Sequence, residues 1–311
     1  MGEMTAVRDA YGAALKELGE QDLRIVGLEA DVASSTKSGI FGKAFPERYF
    51  NVGISELNMV SMAAGLARTG FIPFVNTFAV FLTTRGADPI QSLIAYDKLN
   101  VKLCGTYCGL SDSYDGASHQ AITDLAFVRA IPNMTVITVA DAVETKKAVF
   151  AIADHQGPVY LRLSRAAAPV FYPEDMKFEI GRGITVREGG DVTIITTGTV
   201  LHKALAAAEL LEAKGIQARV VDMHTIKPID EELIIECARE TGAIVTVEEH
   251  SVCGGLGSAV AEVLAEHMPV PMTRIGATDF AESGDYEQLL VKYGYGPESI
   301  AERCAEVIKR K

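Results

Sequence analysis

Only five cysteines occur in 311 residues, an odd number. They make no disulfide framework, so a reducing compartment is expected. Cys104 and Cys108 stand four apart in CGTYC without a second Cys or His pair at ligand spacing. They read as buried thiols, and no metal is assigned to this chain. No run of about 18 uncharged apolar residues occurs, which argues against a membrane-spanning helix. The charged, helically patterned start MGEMTAVRDAYGAALKEL lacks the apolar region of a signal peptide, and a cytoplasmic location is the expectation. Positive charge is also in deficit, with 29 Lys and Arg against 41 Asp and Glu, a net charge of −12. Nucleic acids and anionic membranes are poor main partners for such a chain, because no counterion release would drive binding. A small anionic substrate stays open, since a local cluster of cations can outweigh the global sign.

Apolar residues make up 48% of the chain and charged residues 23%, enough to bury a large core and leave apolar surface for a partner. The length suits two domains of roughly 100–200 residues. Short β-branched runs (LRIVGLEA, FIPFVNTFA, NVKLCGTY, TVITVA, PVYLRLS) alternate with longer amphipathic or Ala-rich stretches. This pattern predicts an α/β fold with a doubly wound, mostly parallel sheet over residues 1–165. Residues 166–182 hold Pro169, Pro173, aromatic and acidic residues without a clear period, and read as a linker. A second alternating unit follows in DVTIITTG, IQARVVDMHTI and AIVTVEE, predicting a smaller α/β domain over 183–311.

Three stretches carry chemistry-bearing side chains. In NVGISELNMVSMAAGLA a strand-like start turns through Gly53 into a helix with Glu56 in its first turn. Alone, Glu56 is an ordinary first-turn acid favoured by the helix dipole. The small residues Ser61, Ala63, Ala64 and Gly65 that follow allow close packing on another backbone. In YDGASHQAITDLA the Asp115-Gly116 turn leads to Ser118-His119 at a helix entry, near the surface. A His, an Asp four residues before it and a Glu at the same sheet edge are the ingredients of proton transfer. Phe78 and Phe81 in NTFAVF suit a core, and an aromatic at a sheet edge equally suits stacking on a flat heterocycle. GGLGSAV lacks the full dinucleotide fingerprint, and His224 and His250 read as structural.

In order and spacing, GISELNM, NTFAVF, DGASHQAITDLA, PNMTVITVADAVE, TIKPID and VEEHSVCGGLGSAV resemble the C-terminal half of transketolases over nearly the whole chain. The resemblance implies a thiamine-pyrimidine-binding domain followed by a transketolase C-terminal domain that serves dimerisation. It implies that Glu56 is the glutamate that hydrogen-bonds the aminopyrimidine of thiamine diphosphate and so promotes loss of the thiazolium proton. Phe81 then matches the aromatic that stacks on the pyrimidine, with Phe78 beside it. Asp115 and His119 match groups that orient the donor's hydroxyls and assist proton transfer, and Asp31 an acid near cofactor and substrate. Arg8 and Ser35 match substrate phosphate contacts.

Departures from the family pattern qualify the substrate. An Arg is replaced by Thr138 and a His by Tyr107 at positions expected to face the substrate, and the acid before the DG pair is Tyr114. A phosphate without a bidentate Arg loses much of its recognition, so the resemblance points to a modified or sulfonated sugar, or to cations from a partner. The GDG that carries Mg²⁺ and the diphosphate is also absent, since Gly190-Asp191 runs into Val192 and Gly284-Asp285 into Tyr286. The expectation is that an N-terminal, diphosphate-binding partner subunit holds Mg²⁺, in an α₂β₂ assembly built on a homodimer of this chain. A ketol transfer between a ketose donor and an aldose acceptor is the expected activity. The alternatives are a β-type subunit of a 2-oxo acid decarboxylating enzyme, related to 1-deoxyxylulose-5-phosphate synthase or a dehydrogenase, and a non-catalytic relative.

Overall fold

The computed structural model describes residues 2–311. Fourteen strands are present among them: β1 (Met4–Ala6), β2 (Ile25–Glu29), β3 (Tyr49–Asn51), β4 (Ile72–Phe78), β5 (Lys102–Thr106), β6 (Thr135–Thr138), β7 (Val159–Leu163), β8 (Ala167–Pro169), β9 (Ile184–Arg187), β10 (Val192–Thr196), β11 (Ala218–Asp222), β12 (Thr225–Lys227), β13 (Ile244–Ser251) and β14 (Met272–Ala277). Twelve of them form a seven-stranded sheet in the order β12-β6-β7-β5-β4-β2-β3 and a five-stranded sheet in the order β14-β13-β10-β11-β9. All neighbours pair in parallel except β12 with β6 and β9 with β11. The inner strands β2, β4, β5 and β7 are buried along their whole length, covered on both faces, so they show no alternation of buried and exposed residues.

The two sheets are not independent bodies. β12 follows β11 in the second sheet yet pairs with the edge of the first. The segment after β7 opens with β8, which pairs antiparallel with β1 at the start of the chain. Two helices show why the pattern folds locally. Helix Glu231–Thr241 is capped by the Asp230 carboxylate, which accepts from Leu233 N, and closes on Gly242 in the left-handed region (φ +65°). Helix Ala142–Asp154 starts on Asp141, whose carboxylate accepts from Glu144 N.

A buried ion pair ties the second domain to the strands under the site. Arg162 on β7 donates to both oxygens of Asp124 (2.7 and 3.1 Å) and to the carbonyls of Ala121 and Glu249 (2.9 Å each). Neither side chain is more than 2% exposed, and Tyr160 adds a third donor to Asp124. Arg162→Met leaves the Asp124 carboxylate buried without its cation, which typically costs about 3–5 kcal/mol. Urea denaturation should show a loss of that size, and a loss under about 1 kcal/mol, the range of an exposed pair, would refute the assignment. Among the described residues no helix is long and apolar enough to cross a membrane.

Candidate active site

The carboxyl ends of the parallel strands are where an open α/β sheet binds ligands, because side chains from the following loops converge there. Glu29 ends β2, Asn51 ends β3, Phe78 ends β4, Thr106 ends β5 and Leu163 ends β7. Asp31, Glu56, Phe81, Tyr107 and Arg165 all lie within five residues of one of these ends.

Glu56 opens helix Glu56–Arg68 and is 4% exposed. Arg85 Nη1 donates to both its oxygens, at 3.0 and 3.2 Å. The same guanidinium lies 4.0 Å from the centre of the Phe81 ring, a cation–π contact that fixes its plane. His119 meets Phe81 edge-on with ring centres 5.1 Å apart, and Phe78 lies 6.0 Å from Phe81. Phe78 in turn stacks on Tyr107 at 4.4 Å. His119 Nδ1 is 2.9 Å from the Ser118 hydroxyl. It sits in a turn five residues ahead of helix Asp124–Ala130, not at a helix entry. Irregular backbone at this point is held from the second domain, where Gln120 Nε2 donates to the Glu282 carbonyl and Gly284 N to that of Ser113.

Tyr107 adopts φ +60°. A bulky residue in the left-handed region costs on the order of 1–3 kcal/mol, which surrounding contacts must offset. Those contacts are the Phe78 stack and a hydrogen bond from Arg8 Nη1 to the phenol oxygen. Arg8 also donates to the Ser35 carbonyl at 3.2 Å, so Ser35 enters through its backbone. Arg165 brings a second guanidinium: its carbon is 5.4 Å from the Tyr107 ring centre, against 5.3 Å for Arg8. Arg8 has no ion-pair partner among the described residues, and Arg165 has only Asp112 at 3.9 Å.

Asp112 is buried and its carboxyl is pushed up to about 6, first by burial and then by the charge and hydrogen bond of Asp115. His119 and Arg165 oppose that rise, so Asp112 stands between Asp115, His119 and Arg165. Asp31 is bound to Asn51 (Nδ2 to Oδ1, 3.0 Å), and Asn51 also accepts from Gly53 N in the turn that leads to Glu56. Beneath it, buried Glu29 accepts from Ala30 N, Val32 N, Thr36 and Ser38, and burial raises its carboxyl above the usual range.

The structure therefore joins Glu56, Phe78, Phe81, Tyr107, His119, Arg8 and Ser35 in one run of contacts, with Asp115 reached through Asp112 and Asp31 through Asn51. Thr138 is not part of it. It ends β6, is 2% exposed, and faces the second domain, where its N–H donates to the His224 carbonyl and its hydroxyl finds no partner. Arg165, the residue just before the expected linker, stands beside Arg8 at the Tyr107 ring. His224 and His250 are fully buried and held neutral, each pushed down to about 4 by burial.

Sequence reasoning missed Arg85, Arg165 and Asp112. Arg85 is four residues after Phe81 on helix Ala79–Arg85, a spacing that stacks side chains on one helix face and could have drawn notice. Arg165 follows the end of β7 by two residues, a position that the strand-end rule marks. For Asp112 no sequence signal exists, because burial alone distinguishes it.

A flat aminopyrimidine fits this chemistry: a buried carboxyl group to hydrogen-bond its ring nitrogen, beside the Phe78 and Phe81 rings. For a metal, no group of three or more His, Cys, Asp or Glu side chains among the described residues is arranged to hold an ion. Exposed Ile54 (74%) and Leu57 (54%) flank Glu56 and form an apolar rim next to it.

Comparison with known proteins identifies the lineage. Residues 3–170 match the transketolase pyrimidine-binding domain and residues 181–300 the transketolase C-terminal domain. The chain is 46% identical to a putative transketolase C-terminal section of Methanocaldococcus jannaschii, over 100% of this chain and 98% of the relative. It is 42% identical to a 6-deoxy-6-sulfo-D-fructose transketolase subunit of a Clostridium species, over 98% and 95%. A solved split-gene transketolase, described as an inactive β4 tetramer, superposes with a TM-score of 0.92 at 50% identity, covering 98% of this chain and 99% of the other. With both domain families matched along most of its length, the chain belongs to the transketolase family as a split, C-terminal-type subunit.

Proposed function

We propose that this subunit, joined to a diphosphate-binding partner, transfers a two-carbon ketol unit from a ketose to an aldose. The observation that carries the reading is the buried Glu56 carboxylate, presented beside the Phe78, Phe81 and His119 rings at the carboxyl ends of β3 and β4. Thiamine diphosphate, when bound, supplies the thiazolium that stabilises the carbanion of the transferred unit. Glu56 would hydrogen-bond the pyrimidine ring nitrogen, with Arg85 donating to both carboxylate oxygens and fixing their plane. Phe81 and Phe78 would hold the ring by stacking. His119, presented at the surface with Ser118 on its Nδ1, would take and return the proton of a substrate hydroxyl, and Asp115 and Asp31 would orient the hydroxyls.

Arg8, Arg165 and the Tyr107 hydroxyl form a rim of donors suited to a tetrahedral anion at the far end of the sugar. Phosphate and sulfonate share that chemistry, and the sulfosugar relative supports the wider choice. The diphosphate and Mg²⁺ are assigned to the partner subunit. The apolar rim at Ile54 and Leu57 beside Glu56 supports a site completed across an interface, in an α₂β₂ assembly.

The test is to combine the chain with its diphosphate-binding partner, Mg²⁺ and cofactor, and to supply a phosphorylated ketose, a sulfonated ketose and pyruvate in parallel. Two-carbon transfer to an added aldose supports the reading. Carbon dioxide release from pyruvate would replace it with a decarboxylating subunit, and transfer by this chain alone would refute the division of labour.

A further inference from the structure

Away from the active site, three carboxyl groups meet where the two domains join. Asp141 and Glu144 belong to the start of helix Ala142–Asp154 in the first domain, and Asp222 ends β11 in the second. All three are at most 1% exposed. None is ion-paired to a Lys or Arg among the described residues, and no cation figures among the groups acting on Glu144 or Asp222. Three buried carboxylates with no cation cannot all be ionised, because burial and mutual repulsion both oppose it.

Hydrogen bonding distinguishes the three. Asp141 accepts three backbone N–H groups, from Glu144 (2.8 Å), Phe171 (2.7 Å) and Tyr172 (2.8 Å). Both of its oxygens are thereby satisfied. Glu144 uses Oε2 to accept from Ala140 N at 2.6 Å, and Asp222 uses Oδ2 to accept from the Tyr172 hydroxyl at 2.8 Å. Their other oxygens, Glu144 Oε1 and Asp222 Oδ1, are buried and without partners as long as both acids are ionised. Yet the two carboxyls lie within hydrogen-bonding reach of each other. A single proton placed between them satisfies both.

We propose that Glu144 and Asp222 share one proton across the domain seam, so that docking of the second domain onto the first takes up a proton and weakens as pH rises. The neighbouring groups fit that charge state. Burial raises both acids, the neighbouring Asp141 adds to the rise, and Asp222 is pushed up to about 7. Tyr172, from the connecting segment, is held neutral as a donor by burial and the adjacent acids. His224, two residues beyond Asp222, is neutral and stacks on Phe178 at 4.2 Å. The connecting segment is thereby fastened twice, by its N–H groups to Asp141 and by the Tyr172 hydroxyl to Asp222.

The sign follows from linkage. Both acids are raised above their unfolded values of about 4, so the stabilisation is complete below that range and is lost as pH rises through the folded values. Between about pH 5 and the folded value near 7, the pair contributes up to a tenfold fall in the folding constant for each pH unit.

Denaturant unfolding of the whole chain across pH 5–9 tests this with two amide variants, Glu144→Gln and Asp222→Asn. Either amide supplies the missing donor without a titrating proton. Relative to the unaltered chain, both variants should flatten the pH dependence by one proton, or tenfold per pH unit, and fold relatively better at the alkaline end. The infrared band of protonated carboxylic acids at pH 6 should lose one carboxyl in each variant. Other buried acids, Glu29, Glu248 and Glu249, are common to all three proteins and cancel in these differences. An unchanged pH slope in both variants, or an unchanged acid band, would overturn the shared proton. Neither measurement involves cofactor or partner, so the result stands apart from the proposed transferase reaction.

Discussion

Glu56→Gln is expected to lower kcat of the assembled two-chain enzyme by about 10²–10⁴-fold, the range in which a positioned proton-transfer group operates. The amide keeps the size of the side chain and one oxygen for Arg85, which now donates to both carboxylate oxygens. What it loses is the negative charge that would draw the hydrogen of the pyrimidine ring nitrogen. Arg85 is about half exposed, so solvent screens its side of the pair and the stability cost is small. The informative pattern is a large fall in kcat with the unfolding midpoint within a few degrees of the unaltered enzyme. Retained turnover would remove Glu56 from the chemistry, and a collapsed midpoint would make it a structural acid.

Arg165→Ala should separate anion recognition from catalysis. A charge-assisted hydrogen bond contributes about 1.5–3 kcal/mol, which corresponds to roughly a 10–150-fold loss of kcat/KM. The loss should fall on donors with a phosphate or sulfonate terminus and spare a short neutral ketose. Arg165→Lys should recover part of it, because the charge remains while the planar fork is lost. Arg8→Ala should resemble Arg165→Ala but also release Tyr107, whose φ of +60° rests on the Arg8 bond and the Phe78 stack. An equal loss for charged and neutral donors would show that Arg165 braces Asp112 and does not read the substrate. Under the proposed two-chain assembly, initial rates at saturating partner are the proper measure.

Much of the architecture was legible in the chain itself. Alternating β-branched and amphipathic runs determined the α/β class, because a buried parallel strand must be continuously apolar and its crossover helix must be amphipathic. The order of short motifs determined the family, and with it the attention to Glu56, Phe81 and His119. Glu56 and Phe81 lie just past the ends of β3 and β4, where position in sequence converts directly into position on one edge of the sheet.

Tertiary structure alone decided contacts made across long separations. Arg165 stands at the border of the expected linker, and only the placement of β7 beside β5 brings it to Tyr107, some fifty-eight residues earlier. Thr138 seemed a substrate position, but insertion of β12 next to β6 turned it toward the second domain. Asp112 became distinctive through burial, and Glu144 with Asp222 through their meeting across the seam. None of these carries a local signal, since periodicity reports which face of an element is buried but not what lies against it. As for the cysteines with which the sequence began, four of the five are buried and none is bonded to another. The small number determined the lack of a disulfide framework, while packing decided that Cys104 and Cys108 serve the core.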